Sequence, residues 1–429
     1  MGKRINVHYV TRIEGHGDIV VEVGDGKLKD CRFEVVEAPR FFESMLHGRH
    51  YSEASQITSR ICGICSTGHA TTSVRATEKA LGVEPSEQTR LLRKLAFFGE
   101  ILDSHVLHAY MLVAPDFFGV GSVIPMVATH REVVLRALRM KKLAGDLCAV
   151  VNGRHTHPIA MTVGGFTHFP RVDELEGLYL RFEAARVDAD ATVELFSSLT
   201  FPAFERETEY ISLALPDEYA FIDGEIVSSD GVVLPVEAYK NVTNEYLVEY
   251  SSAKLARHQR DSYMVGALAR FNNNYALLHS RAKKAAGALG LKPKVTNPYL
   301  NTAAQVVEIV HCVEESMVTI DELLERGVQW EELAPPKLQA GQGVGACEVP
   351  RGLLIHNYSI GTDGKLTGAD CVIPTNQNIA SIEADMCALV PRIINKSADA
   401  MRLDLEMLVR AYDPCISCSV HVVKVDGLK

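Results

Sequence analysis

Two Cys-x-x-Cys pairs stand near opposite ends of this chain. Cys62 and Cys65 lie in Arg60-Ile-Cys-Gly-Ile-Cys-Ser-Thr-Gly-His69, and Cys415 and Cys418 in Asp413-Pro-Cys-Ile-Ser-Cys-Ser-Val-His421. A fold that lets them meet must bring segments about 350 residues apart onto one spot. The two-residue spacer lets both sulfurs of a pair point inward at a chain turn. Four converging thiolates make a soft-metal site for zinc, an iron–sulfur cluster, or nickel with iron. Spacing alone favours structural zinc. Two features weigh against it. Zinc modules keep their halves roughly 15–20 residues apart, and a chain of 429 residues, 47% of them hydrophobic, has a large core without a metal staple. Arg60, His69, Asp413 and His421 also frame the pairs with polar or ionisable groups, which suits a reactive metal.

The other six of the ten cysteines (31, 148, 312, 347, 371 and 387) sit singly in apolar surroundings and read as small buried hydrophobes. With 44 basic against 54 acidic residues, the net charge of −10 argues against nucleic acid as a partner. No apolar stretch approaches the roughly 20 residues of a membrane helix, so no transmembrane segment is expected. The N-terminus carries two basic residues with no apolar core after them, unlike a signal peptide.

Residues 1–40 alternate apolar and polar positions around Gly-Asp-Gly turns, the pattern of an N-terminal β segment. Helical spacing then covers about 85–113, 126–151, 171–199, 252–287, 297–325 and 377–412. Residues 202–250 and 338–375 break it with Gly, Pro and β-branched clusters and read as β/loop insertions. The expected fold class is mainly α. It is a bundle of long helices with small peripheral β-sheets, forming one large domain over residues 1–429.

The cysteine motifs do not stand alone. Arg12-Ile-Glu14-Gly-His16 precedes them, then Arg40-Phe-Phe-Glu43 with Leu46 and Gly48-Arg49. Glu348-Val-Pro350-Arg351-Gly352 with His356, and Pro374-Thr375-Asn376, follow the first pair. These six blocks, in this order over residues 11 to 421, resemble the large, catalytic subunit of nickel–iron hydrogenases. The short chain and its Asp-Pro-Cys-x-x-Cys-x-x-His ending resemble the cytoplasmic multisubunit branches linked to nicotinamide, deazaflavin, ferredoxin or heterodisulfide partners.

The resemblance implies reversible heterolytic cleavage of dihydrogen to protons and electrons. Cys62 and Cys415 would be terminal nickel ligands. Cys65 and Cys418 would bridge nickel to an iron carrying carbon monoxide and cyanide. Glu14 would take the proton left on Cys415. Arg351, after Pro350, would face the open metal position with Thr375 beside it, and Asp116 and Asp413 would hold that arginine. His69 would hydrogen-bond a bridging sulfur. Glu43, the Cys371 carbonyl and His421 would hold a second ion, magnesium or iron. No cysteine set remains for a relay cluster, so electrons would leave through an iron–sulfur small subunit and further flavin or iron–sulfur subunits. Family maturation would cut after His421 and remove a tail at 422–429, unless this member keeps it.

Other signals take blander readings. Gly341-Gln-Gly343-Val-Gly345 lacks the βαβ setting of a dinucleotide loop. His155 and His157 read as structural residues near the site, and the acidic runs at 171–189 and 321–333 as solvated helix faces. Two rivals remain: a non-catalytic, quinone-binding respiratory subunit of the same fold, whose members lack the cysteine pairs, and a structural zinc scaffold.

Overall fold

The computed structural model describes residues 3–420; His421 and the tail 422–429 lie outside the described residues. The chain opens with an antiparallel three-stranded sheet, β1 (Lys3–Val7), β2 (Gly17–Gly24) and β3 (Lys27–Val35). The Gly24-Asp-Gly26 turn joins β2 to β3, and Asp25 and Gly26 both have positive φ there.

Four long helices form the central body: α2 (Glu87–Val106), α3 (Arg131–Asn152), α4 (Val172–Ser197) and α5 (Asn301–Arg326). α2 packs on α3 and α5, and α4 on α3 and α5, which closes a four-helix bundle. Their inward residues, among them Leu92, Leu95, Leu147, Phe182 and Ile309, are buried in one continuous core.

Helix α1 (Ser66–Leu81) lies outside the helical runs expected from the sequence. Its buried face carries Thr71, Thr72 and Thr77, whose hydroxyls bond back to the carbonyls of Thr67, Gly68 and Ser73 at 2.8, 2.8 and 2.9 Å. Polar residues satisfied in this way hide the apolar periodicity that marks a helix.

A second antiparallel sheet, β4 (Gly341–Val349), β5 (Gly352–Ile360) and β6 (Leu366–Val372), packs against α1. Here the glycine run has its explanation. A Cβ at Gly341, Gly343 or Gly345 would lie 2.1, 2.2 or 2.3 Å from the carbonyl oxygen of Ala80, Ala76 or Thr72. Period two along a strand meets period four along a helix, so the three glycines let β4 lie flush on α1. Gly343→Ala is therefore expected to cost about 1–3 kcal/mol by overpacking, read as a lowered unfolding midpoint.

Beyond β6, helix α6 (Pro374–Ile393) begins at once, and α7 (Ala398–Ala411) leads into the second cysteine loop. The molecule is mainly α with small sheets, of which β4 and β5 are largely buried and not peripheral as expected. In the 202–250 region stand short strands such as Glu209–Ala214 and Glu225–Ser228. A second expectation is corrected. Residues 252–287 are not one helix but strands Leu255–Arg257 and Tyr263–Met264 followed by helices Ala267–Asn274 and Ser280–Ala288. Tyr263–Met264 pairs with Glu209–Tyr210, and Gly266 stands at φ +115 where a Cβ would lie 3.1 Å from the Arg351 carbonyl oxygen. Long-range pairing and one left-handed glycine override the local period. Among the described residues no helix is long and apolar enough to cross a membrane.

Candidate metal centre

The two cysteine loops meet. The sulfurs of Cys62, Cys65, Cys415 and Cys418 all lie within 4.8 Å of one another, and all four residues are buried. Cys62 Sγ is 3.1 Å from Cys65 Sγ and 3.7 Å from Cys415 Sγ. In the first loop the backbone N–H groups of Ile64 and Cys65 donate to Cys62 Sγ at 3.3 and 3.0 Å. This turn aims both sulfurs inward, and α1 starts immediately after it. In the second loop Asp413, at φ +53, turns the chain out of α7, and the Cys415 N–H donates to Thr375 Oγ1 at 3.1 Å. Hydrogen bonds from the thiols of Cys415, Cys418 and Cys65 hold Cys62 well below the usual thiol range. Burial holds Cys415 and Cys418 well above it. A soft cation entering the cluster would displace those protons, the usual coupling of thiolate ligation to proton release. The donor set fits one or two thiophilic metals.

Polar groups address individual sulfurs. The Cys415 thiol donates to Glu14 Oε2 at 3.1 Å. Glu14 is tied to the same loop: its carbonyl accepts from the Ile416 N–H at 2.9 Å, and its carboxylate accepts from the Ser417 N–H at 3.1 Å and from the Ser417 hydroxyl. Arg351 Nη1 donates to Cys65 Sγ at 3.3 Å, its Nε to the Asp413 carbonyl at 2.7 Å and its Nη2 to Asp413 Oδ1 at 2.8 Å. Burial opposes the Arg351 charge, but Asp413 and the thiols outweigh it and hold the guanidinium well above its ordinary pKa. Val349 pairs with Gly352, so Pro350 and Arg351 form the two-residue tip of the β4–β5 hairpin. The sheet presents that tip to Cys65, and the first turn of α6 presents Thr375 to the Cys415 backbone.

One expected placement is corrected. Asp116 does not touch Arg351. Its carboxylate is taken by Arg410, at 2.8 and 2.9 Å, and by Arg12. Asp413 supplies the carboxylate on Arg351, and Gln305 Nε2 donates to its other oxygen at 3.2 Å. His69 lies with its Nδ1 3.4 Å from His356 Nε2, and Cys62 acts on it electrostatically. Burial lowers the His69 pKa to about 4, so the ring is neutral. Of the second ion site, Glu43 Oε1 accepts the Cys371 N–H at 2.9 Å, and burial raises the Glu43 carboxyl above its ordinary value. Its third member, His421, lies outside the described residues.

Several residues that hold the site together were given no such role in the sequence. Arg40 donates from Nη1 to the Ile61 and Ser417 carbonyls at 2.6 and 3.1 Å and from Nη2 to the Arg60 carbonyl at 2.9 Å, clamping the two cysteine loops together. Glu100 accepts from the Thr67 and Gly68 N–H groups at 2.6 and 2.9 Å and so fixes the start of α1 beside Cys65. A glutamate within Phe97-Phe98-Gly-Glu100-Ile-Leu was a visible signal of a buried charge. His157, read from the sequence as a structural residue near the site, buttresses the first loop: its backbone N–H donates to Ser66 Oγ and its Nδ1 lies 2.9 Å from the Ser59 carbonyl.

A buried four-thiol pocket with a carboxylate on one sulfur and a guanidinium on another, set in a helical shell, defines a redox metalloenzyme rather than a closed structural site. The family model described as nickel-dependent hydrogenase matches residues 40–133 and 228–421, and a HoxL-like model matches residues 4–38. The chain is 34% identical to the sulfhydrogenase 1 alpha subunit of Pyrococcus furiosus over 98% of each chain. It is 29% identical to an F420-non-reducing hydrogenase subunit of Methanothermobacter thermautotrophicus, over 98% of this chain and 95% of that one. Its fold matches that of an NAD+-reducing [NiFe]-hydrogenase in the H2-reduced state with a TM-score of 0.88, at 25% identity, covering 98% of this chain and 99% of the other. The chain belongs to the nickel-dependent hydrogenase family. It is a catalytic large subunit, an oxidoreductase acting on dihydrogen, and its four buried cysteines form a group that could hold a metal.

Proposed function

We propose that this subunit splits dihydrogen heterolytically, with Glu14 as the proton acceptor. The observation that carries the reading is the Cys415 thiol donating to Glu14 Oε2 at 3.1 Å. Cys62, Cys65, Cys415 and Cys418 would hold the nickel–iron centre, Cys62 and Cys415 as nickel ligands and Cys65 and Cys418 as ligands shared with an iron that would carry carbon monoxide and cyanide. When bound, the centre supplies the electrophilic site at which dihydrogen is polarised. The chain supplies the rest. Cys415 Sγ holds the proton and passes it to Glu14, whose carboxylate Ser417 keeps aimed at the sulfur. Arg351 places a fixed positive charge beside Cys65, positioned before the reaction by Asp413. Thr375 accepts from the Cys415 N–H and keeps its hydroxyl proton for an anionic metal ligand. Pro350 shapes the turn that delivers Arg351. Glu43, the Cys371 carbonyl and His421 would hold a second ion, magnesium or iron.

Electrons pass to an iron–sulfur small subunit and from there to flavin or iron–sulfur subunits of a cytoplasmic complex. In support, the sulfhydrogenase and F420-non-reducing relatives are named as subunits of larger enzymes, and an NAD-reducing hydrogenase subunit of Cupriavidus necator is 26% identical over 99% of this chain.

Isotope exchange tests the reading. Under deuterium gas in light water the holoenzyme is expected to release HD first, since only one half of each molecule leaves as an exchangeable ion. A holoenzyme with nickel and iron that exchanges nothing would contradict it.

A further inference from the structure

Arg270 is wholly buried, and no motif of the sequence drew attention to it. All five of its N–H donors are used. Nε and Nη2 make a two-pronged pair with Glu308 at 2.7 and 2.6 Å, and Nη1 reaches Glu348 Oε2 at 3.0 Å. The remaining two donate to the carbonyls of Val349 and Pro350 at 3.0 and 3.1 Å. Those carbonyls belong to the hairpin tip that carries Arg351. Two adjacent carbonyls and one carboxylate on a single planar fork leave that tip little freedom to rotate.

The anchor behind Arg270 is equally fixed. Glu308 sits on α5 and takes two more hydrogen bonds, from the Tyr219 hydroxyl at 2.7 Å and with His105 Nε2 at 2.6 Å. Three residues earlier on α5, Gln305 donates to Asp413, the carboxylate that grips the Arg351 guanidinium. Neighbouring positions on one helix face thus hold Arg351 twice, once through its backbone by way of Arg270 and once through its side chain by way of Asp413.

We propose that Arg270 is a positioning residue for dihydrogen cleavage. It transmits the rigid frame of the helical bundle to the hairpin tip and so sets the distance of the Arg351 guanidinium from the thiolate cluster. This rests on the role given to Arg351. Arg270→Lys keeps the charge but cannot satisfy five acceptors, so the tip gains freedom while the core keeps its cation. The expected effect is a loss of about 10- to 100-fold in kcat, the range for groups that orient an active-site residue, with KM for dihydrogen unchanged.

The deciding experiment is a cycle of Arg270→Lys, Arg351→Lys and the double variant in the holoenzyme, with infrared spectra of the metal-bound ligands and unfolding midpoints recorded alongside. If Arg270 acts through Arg351, the double variant is no slower than Arg351→Lys alone, and both single variants move the infrared bands in the same direction. Additive losses with unmoved bands in Arg270→Lys would overturn the proposal and leave a purely structural residue. A fully active Arg351→Lys would overturn the reading of Arg351, and this proposal with it. Should Arg270→Lys fail to fold, Glu348→Gln loosens the same guanidinium more gently and is expected to shift the bands in the same direction. Unmoved bands in a folded Glu348→Gln would again contradict the proposal.

Discussion

Glu14→Gln is expected to lower the rate of dihydrogen oxidation by about 10²- to 10⁴-fold, the range for removing a positioned proton acceptor. Nickel and iron contents should stay unchanged. Glutamine is the same size and can still bond the Ser417 N–H, so the loop should keep its shape. What it loses is the ability to take the proton that the Cys415 thiol donates across 3.1 Å. Glu14→Asp should fall between the two, because the acid survives while its reach shortens by one methylene. Dye-linked dihydrogen oxidation with parallel metal analysis checks this. A Glu14→Gln enzyme within threefold of the parent would remove Glu14 from the proton path.

Arg351→Lys should have a comparable effect through a different cause. The guanidinium reaches a sulfur with one nitrogen and a carbonyl and a carboxylate with the other two. An ammonium is a point charge and cannot span these three acceptors at once. Removal of a preorganised charge from beside the reacting centre typically costs about 10²–10³ in kcat. The KM for dihydrogen should change little, since an apolar gas makes no polar contact with the side chain. Steady-state kinetics at varied dihydrogen pressure separates the two constants. A raised KM at constant kcat would mean that Arg351 governs access and not the chemistry.

Much of the site was legible because its chemistry is carried by short ordered motifs. Two cysteine pairs, one glutamate near the N-terminus and a Pro-Arg-Gly turn are visible without coordinates. The groups that hold those motifs in place were harder to read. Arg40, Ser417 and Arg270 act on backbone carbonyls or on a neighbouring carboxylate, and such contacts leave no spacing pattern. Asp116 was misassigned because a carboxylate near a motif does not declare its arginine; Arg410 and Arg12 lie closer to it than Arg351 does. The fold divides the same way. Long helices such as α2 and α5 announce themselves by apolar period, whereas α1 buries threonines and the 252–287 segment owes its strands to partners far along the chain. The glycines of β4 were conspicuous, yet their purpose is a helix backbone that only the folded chain brings against them.

An infrared spectrum of the purified holoenzyme in the triple-bond stretching region tests the nickel–iron centre most directly. Bands from carbon monoxide and cyanide bound to iron are expected in the parent and should be lost when Cys65 or Cys418 is replaced by alanine. A metal-loaded protein with one zinc per chain and no such bands would contradict the centre proposed for these four cysteines.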